Sequence, residues 1–274
     1  MTVIPSRFGR IARRLLRTPL FSLVAILTLA VGIGANTAIF SVVNGVLLKP
    51  LPFHEPERLV GMWHTAPGIN IPLLTQGPTN YFVYRDDSTT LEDIALWQGS
   101  AVSVTGSGEP ERVQALRVTD GALDILRVNP VLGRDFTLED DQPGAPDRVL
   151  LAHAYWQRKF GGDPSAVGRT LSIEGEPYEI IGVLPAGFRF LDRNPQLLLP
   201  MRFNRAEVHV GNFSYRGIAR LKPGVTLEQA NADVARMIPL TVGRFRLPPG
   251  FSGQIFDEAK PAPGVPPRGA DDTE

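Results

Sequence analysis

Hydrophobic and polar positions divide the chain into three regimes. From Thr18 to Leu48 the run TPLFSLVAILTLAVGIGANTAIFSVVNGVLL contains no charged side chain. About 20 apolar residues, at roughly 1.5 Å each, span the hydrocarbon core of a bilayer, where an ionised group costs several kcal/mol. The run therefore predicts a transmembrane helix over residues 19–48. A cleaved signal has a shorter apolar region, about 7–15 residues, and ends in a small-x-small site. This run is longer and leads into bulky Ile39, Phe40, Val46 and Leu47, so a retained anchor is the preferred reading.

Beyond Lys49 the apolar residues come in short groups between prolines and glycines. Pro50, Pro52 and Pro56 prevent the helix from continuing and predict an extended exit. Strands are predicted at Leu59 to Thr65, Ser100 to Thr105, Arg112 to Val118, Val149 to Ala152, Leu197 to Leu199 and Ser214 to Leu221. A hairpin is predicted from Thr170 to Ile173 and Tyr178 to Val183 around Glu174–Gly175–Glu176. The segment Asn80 to Gln98 predicts two short helices broken at Asp86 to Ser88, the second with a Thr89/Glu92 capping box and an apolar face of Leu91, Ile94 and Ala95. Gly121 to Leu126 predicts a short helix capped by Thr119 or Asp120, and HAYWQRKFG from His153 another, ended by Gly161, Gly162 and Pro164. The clearest helix outside the anchor starts at Thr226, which forms a capping box with Gln229 and precedes an apolar face of Leu227, Ala230, Val234 and Met237. The third regime, residues 246–274, is rich in Pro and Gly and predicts a disordered tail.

Composition sharpens this picture in two ways. The 28 Lys plus Arg balance 28 Asp plus Glu, but not locally. Arg7, Arg10, Arg13, Arg14 and Arg17 precede the apolar run with no acid among them, which puts the N-terminus in the cytoplasm and the rest of the chain outside. Phe8, Ile11, Leu15 and Leu16 share a helical face among these arginines. Residues 1–18 thus fit an amphipathic segment on anionic lipid, or a plain arginine-rich flank. This asymmetry suits membrane insertion, not nucleic-acid binding, which wants basic residues interleaved with aromatics on a folded face. The chain has no cysteine, so no disulfide, thiol nucleophile or Cys-ligated metal is available.

Within the apolar run Ala30, Gly34, Thr37, Ser41 and Gly45 recur at spacings of three or four, stacking small residues on one face. Such a face admits a partner helix at close range, although Gly and Ala are also simply common in membrane helices. Asn36 and Asn44 favour a partner, because an amide in lipid needs hydrogen bonds.

Candidate chemistry is sparse. There is no G-x-x-x-x-G-K-[ST] loop, no G-x-S-x-G elbow, and the four histidines stand singly. Asp86 and Asp87 fit solvated helix caps, and the group Glu139, Asp140, Asp141 and Asp147 lacks the D-x-D-x-D-G spacing of a Ca²⁺ loop and fits a solvated acidic loop. No nucleophile, base and orienter assemble, no cofactor or metal site is expected, and the chain is expected not to be an enzyme.

Several blocks in one order nevertheless carry a family signal: GIGANTAIFSVVNGVLLKPLPF, NYFVYRDDSTTLEDIALW, VLGRDFTLEDD, LLAHAYWQRKFGGDPSAVGRTLSIEGEPYEIIGVLPAGFRF and IARLKPGVTLEQANADV. Over residues 8–240 they resemble the N-terminal half-repeat of MacB/FtsX-like ABC transporter permeases, in particular the duplicated orphan (ADOP-type) branch. The resemblance implies an α+β fold, with one N-terminal membrane helix followed by a mixed α+β MacB-like periplasmic core domain at residues 49–245. It implies a single-pass protein of the cell inner membrane that works with a separate ABC ATPase subunit, and with other permease helices or a second permease chain, in export or force transmission. Family members continue into further membrane helices, and no second uncharged run is present here. The expectation is a truncated or partial permease subunit. The alternative is a stand-alone membrane-anchored periplasmic binding or sensor module, with an anchored hydrolase a distant third.

Overall fold

The computed structural model describes residues 19–43, 53–66, 71–106, 108–249 and 260–261. The chain divides into two compact units, Met1–Leu51 and Pro52–Glu274.

In the first unit, Pro19–Val43 forms one helix, α1, of 25 residues. Leu20, Leu23, Val24, Ile26, Leu27, Leu29, Val31, Ile33 and Phe40 are all exposed on it. Among the described residues no helix is long and apolar enough to cross a membrane, so spanning by residues 19–48 is taken up below as a proposal.

The second unit is a mixed α+β domain. Its main sheet has nine described strands: β1 (Leu59–Met62), β4 (Leu91–Thr105), β5 (Glu111–Val118), β6 (Leu132–Gly133), β7 (Arg148–Leu151), β8 (Thr170–Ile173), β9 (Glu176–Val183), β10 (Leu197–Pro200) and β11 (Arg216–Leu221). The order is β1-β11-β4-β5-β10-β7-β9-β6, with β8 bonded to β4 and β9. The pairs β10–β5 and β7–β9 are parallel and the other pairs antiparallel. A second sheet of three short strands runs β12 (Lys260–Pro261), β2 (His64–Ala66), β3 (Ile71–Leu74). Among the described residues the α-helices of the domain are α2 (Pro78–Asp87), α3 (Ala122–Leu126), α4 (His153–Phe160) and α5 (Leu227–Arg244).

Strand β4 organises the domain, because its 15 residues serve two cores. Leu91, Ile94 and Leu96 pack with Tyr81 and Tyr84 of α2 and with Val234, Met237 and Ile238 of α5. Further along, Val102 and Val104 pack with Val113, Leu171, Ile180, Leu197 and the α4 residues Tyr155 and Trp156. The two cores share one strand, so a shift in β4 register would disturb both.

Several elements depart from the sequence expectation. The second helix predicted within Asn80 to Gln98 is instead the first half of β4. Leu91, Ile94, Ala95, Leu96 and Trp97 are all buried and pair along β11, with β5 joining at Trp97, and a nearly continuous apolar run suits a strand covered on both faces as well as it suits a helix face. Thr89 and Glu92 form no capping box there. The Thr89 N–H instead donates to Asp233 on α5 (2.8 Å), and Glu92 pairs with Arg58 and Arg127. The strand predicted over Leu59 to Thr65 divides at Trp63 into β1 and β2, which belong to different sheets. Helix α3 begins after Gly121, which makes no side-chain cap. Thr119, one of the expected caps, is occupied by the sheet: its hydroxyl accepts from the Leu96 N–H at 3.0 Å. Within the segment read as a Pro/Gly-rich tail, Lys260–Pro261 pair with Thr65 and His64 as β12.

Other local expectations match. Thr226 and Gln229 form the reciprocal capping box of α5, Gly161 closes α4 in the left-handed conformation, and β8–β9 turn through Glu174 (φ 53°) and Gly175 (φ 90°), the paired positive φ of a two-residue hairpin turn.

Candidate functional site

A cleft of about 440 Å³ opens on the main sheet. Its floor is β4 from Trp97 to Ser100 and β5 from Gln114 to Leu116; Arg193–Pro195 and the start of β11 at Ser214 and Arg216 form its walls. Trp97, Gly99 and Leu116 lie on the face opposite Val102, Val104 and Val113, because side chains alternate along a strand and Gly99 pairs directly with Leu116. Having no side chain at Gly99 leaves room above the floor. One wall is held by Phe190 and Arg193, which exchange backbone hydrogen bonds of 3.0 and 2.9 Å. The other is tied down by Gln98, whose side-chain amide donates to the Ser214 carbonyl at 3.3 Å.

Trp97 is the anchor of the cleft. It is buried, meets Phe190 edge-to-face at 5.5 Å, and carries the Arg216 guanidinium 5.1 Å from its ring centroid, a distance at which the ring attracts a cation. Arg193 pairs with Asp192 at 3.7 Å. The described lining contains the guanidinium groups of Arg193 and Arg216 and no carboxylate.

A second cluster is structural. Asp140 is fully buried; Arg134 and Arg148 both pair with it, and the Thr137 N–H donates to it at 2.8 Å. Asp141, also buried, accepts from the Arg202 N–H at 2.6 Å and the Asp120 N–H at 3.1 Å. Asp120 in turn receives two hydrogen bonds from Arg85 of α2, at 2.7 and 2.6 Å. The reading of Glu139, Asp140, Asp141 and Asp147 as a solvated loop is thus corrected for Asp140 and Asp141, which are buried ties between α2, β5 and the loop before β7. Asp147 pairs with Arg202. Asp86 and Asp87, expected as solvated caps, pair with Arg205 and with Arg244 of α5.

Burial and neighbouring acids shift several of these groups. Burial, followed by the charges of Asp124 and Asp120, raises Asp135 to about 7, even though its carboxylate accepts the Phe136 N–H. Burial raises Asp141 to about 6, against the two N–H groups that donate to it. Burial lowers His64, which bonds Tyr84 Oη at 2.6 Å, to about 4. The signs oppose each other. An acid raised in the fold stabilises it below the unfolded carboxylate value near 4 and loses that contribution as pH rises through 6 and 7, whereas His64 destabilises the fold as pH falls from about 6.5 to 4. Asp135→Asn, which keeps an acceptor for the Phe136 N–H, is expected to raise the melting temperature at pH 8 by about 2–4 °C, the shift of roughly 1 kcal/mol in a domain of this size. The gain should vanish near pH 4; melting curves of parent and variant at both pH values check this, and an equal shift at both would contradict it.

Of the helix-face residues expected from the sequence, Ala30, Gly34 and Thr37 lie exposed on α1. Nothing lies within 4 Å of a Cβ built on Gly34, and Thr37 Oγ1 donates to the Ile33 carbonyl within the helix at 2.7 Å. Ser41 is on the α1 backbone, while its side chain, Gly45 and Arg7, Arg10, Arg13, Arg14 and Arg17 lie outside the described residues. No group of three or more potential metal ligands occurs among the described residues. The cleft was not anticipated from the sequence. Trp97 falls in the segment Asn80 to Gln98 that the sequence pattern reads as helical, and Arg193 and Arg216 are about a hundred residues away in the chain.

Residues 22–237 match the family model described as the MacB-like periplasmic core domain. No curated protein matches the sequence. Among solved structures, the chain is similar to a domain assigned to a permease protein from Porphyromonas gingivalis, with 19% identity and a TM-score of 0.59 over 78% of this chain and 92% of that one. It is also similar to the periplasmic region of MacB from Actinobacillus actinomycetemcomitans, with 12% identity and a TM-score of 0.50 over 69% and 86%. The extracellular domain of the noncanonical ABC-type transporter YknZ from Gram-positive bacteria aligns at 16% identity and a TM-score of 0.49, over 68% and 95%.

Proposed function

The chain belongs to the MacB-like periplasmic core domain family, and on that premise we propose that it is a partial ABC transporter permease subunit: an extracytoplasmic core domain, at residues 49–245, anchored in the inner membrane by residues 19–48. The observation that carries this reading is that the family match begins at residue 22, inside α1, and runs on through the sheet to residue 237 in α5. The sequence pattern of the family therefore includes the apolar helix as well as the domain. The uncharged sequence run from Thr18 to Leu48, longer than the about 20 apolar residues a bilayer core needs, supports this reading. Arg7, Arg10, Arg13, Arg14 and Arg17 support a cytoplasmic N-terminus in contact with anionic lipid.

The chain carries no phosphate-cradling loop, so a separate ABC ATPase would supply the energy for export or force transmission. One helix lines no route across lipid, since its surface must face lipid or another helix, so a second permease chain or further permease helices would complete the transporter.

Topology can be tested without background, because the chain has no cysteine. Ser6→Cys is expected to react with a membrane-impermeant maleimide only after permeabilisation, and Glu109→Cys, on the exposed β4–β5 turn, in intact spheroplasts. The reverse pattern, or equal labelling of both, would overturn the anchor and its orientation. The partner helix would dock on Ala30, Gly34, Thr37, Ser41 and Gly45. Gly34→Ile should hold a partner backbone away at a cost of about 1–2 kcal/mol and reduce crosslinking in membranes several-fold; crosslinking equal to the parent would remove this face from consideration.

One observation favours the second reading, a membrane-anchored periplasmic binding or sensor module: the domain contains a formed cleft with charged walls.

A further inference from the structure

We propose that an extended peptide segment of a partner protein adds to the edge of β4 at Gly99 and Ala101 and seats a large apolar side chain over Gly99. The main sheet leaves a slot there. On the edge of β4 away from β5, β11 pairs as far as Trp97, opposite Arg216, and β8 takes over only at Val104, opposite Ile173. Both strands lie on that edge, because Trp97 and Val104 also pair with β5 on the other. The stretch from Trp97 to Ser103 covers about 20 Å at roughly 3.4 Å per residue, which admits a peptide of about five residues.

The backbone pattern dictates what fits the slot. Ser103 turns its N–H and C=O to this edge, where the N–H donates to Glu174 Oε1 at 2.6 Å and the C=O accepts from the Glu174 N–H at 2.8 Å. Backbone groups two residues apart point to the same edge of a strand, and the β4–β5 register runs without a bulge from Trp97 to Val104. Gly99 and Ala101 therefore aim their N–H and C=O into the slot. No ladder reaches them there among the described residues, and Gly99 is exposed and Ala101 partly so. Two donors and two acceptors in alternation, continuous with the ladders of β11 and β8, match the backbone of another extended chain.

The cleft selects the side chain. Both flanking strands run antiparallel to β4, and a segment between them does the same. A residue opposite Gly99 carries its side chain on the face of Gly99, which is also the face of Trp97 and Leu116 at the floor of the 440 Å³ cleft. A Cβ on Gly99 would itself meet only Leu116, at 3.9 Å, so the bare glycine leaves an apolar seat for a side chain from across the slot. The wall arginines are already engaged, Arg216 on Trp97 and Arg193 with Asp192, so the seat asks for no charge. Gln98 and Ser100 turn to the opposite face, where polar residues of the peptide suffice.

This inference concerns binding and holds whether or not the chain couples to an ATPase. The test is isothermal titration of the full chain in detergent with the blocked peptide acetyl-Thr-Val-Thr-Phe-Thr-amide, whose Phe falls opposite Gly99 and whose Val falls opposite Ala101. Saturable binding at millimolar concentration or below is expected. Methylating the Val and Phe nitrogens removes both ladder donors and should weaken it by about tenfold or more, and replacing Phe by Ala should weaken it several-fold. Ala101→Pro removes an N–H that meets no described acceptor and should abolish binding, with the melting temperature within a few degrees of the parent, since an edge position tolerates proline. Gly99→Val, for which the floor has room, keeps the fold and fills the seat; it should weaken binding by about fivefold or more. No saturation, equal binding of the methylated peptide, or unchanged affinity in Gly99→Val would overturn the proposal. So would a dimer of the chain that Ala101→Pro dissociates, which would put a second copy in the slot instead.

Discussion

Asp140→Ala is expected to destabilise the core domain by about 2–4 kcal/mol, one of the largest losses from a single charged side chain in this molecule. Asp140 is wholly shielded from solvent and receives Arg134, Arg148 and the Thr137 N–H. Truncation leaves two guanidinium groups and a backbone donor without their acceptor, and losing one partner of a buried pair typically costs about 3–5 kcal/mol. The estimate sits lower here because the Arg134 side chain is 44% exposed and the Arg148 side chain 24%, so water can reach both cations. Asp140→Asn keeps the acceptor for Thr137 and should recover part of the loss. Urea melts of the three proteins check the order parent, Asn, Ala; an Ala variant within about 0.5 kcal/mol of the parent would show that the pairs contribute nothing net.

Gly133→Ala should cost about 3–4 kcal/mol, while the same change at Gly144 should cost only about 1–2. Both glycines have positive φ, 72° and 78°, so both substitutions incur the strain of a left-handed L-residue. Only at Gly133 would the new Cβ also meet backbone, 2.0 Å from the Ile181 carbonyl oxygen and 2.8 Å from Gly182 Cα; nothing lies within 4 Å at Gly144. Gly133 and Gly182 are paired in the β6–β9 ladder, and a Cβ on Gly182 would itself fall 2.7 Å from the Arg134 carbonyl. This close approach has no flexible side chain that could yield. Thermal melts of the two single variants decide it, and equal losses would mean that the edge strand moves aside at little cost.

What could be read in the sequence was local. The Thr226/Gln229 capping box, the Glu174–Gly175 turn and the Gly161 stop each act through contacts within about four residues, so the structure reproduces them. The family signal was legible for a related reason: several blocks in one order jointly specify a domain, and the model match over residues 22–237 agrees with it. The misreadings share a physical cause. Leu91 to Trp97 has apolar residues at spacings that a helix face and a doubly covered strand both satisfy, and the choice fell to β11, over a hundred residues away in the chain, whose ladder runs along it, with β5 pairing from Trp97 onward. The acids at 140 and 141 resembled a solvated loop because their partners, the Arg148 guanidinium and the Arg202 backbone N–H, reach them only once the chain has folded.

By itself, then, the sequence determined an uncharged helix-forming run behind five arginines, an α+β core of short strands and capped helices, and membership in a permease family, since each depends on composition, short-range spacing or ordered blocks. Tertiary structure alone decided the strand identity of Leu91 to Trp97, the burial of Asp140 and Asp141, and the meeting of Trp97, Arg193 and Arg216 around one cleft. Those features are relations between residues distant in the chain. Burial and charge pairing are properties of the packed neighbourhood, which local pattern does not contain.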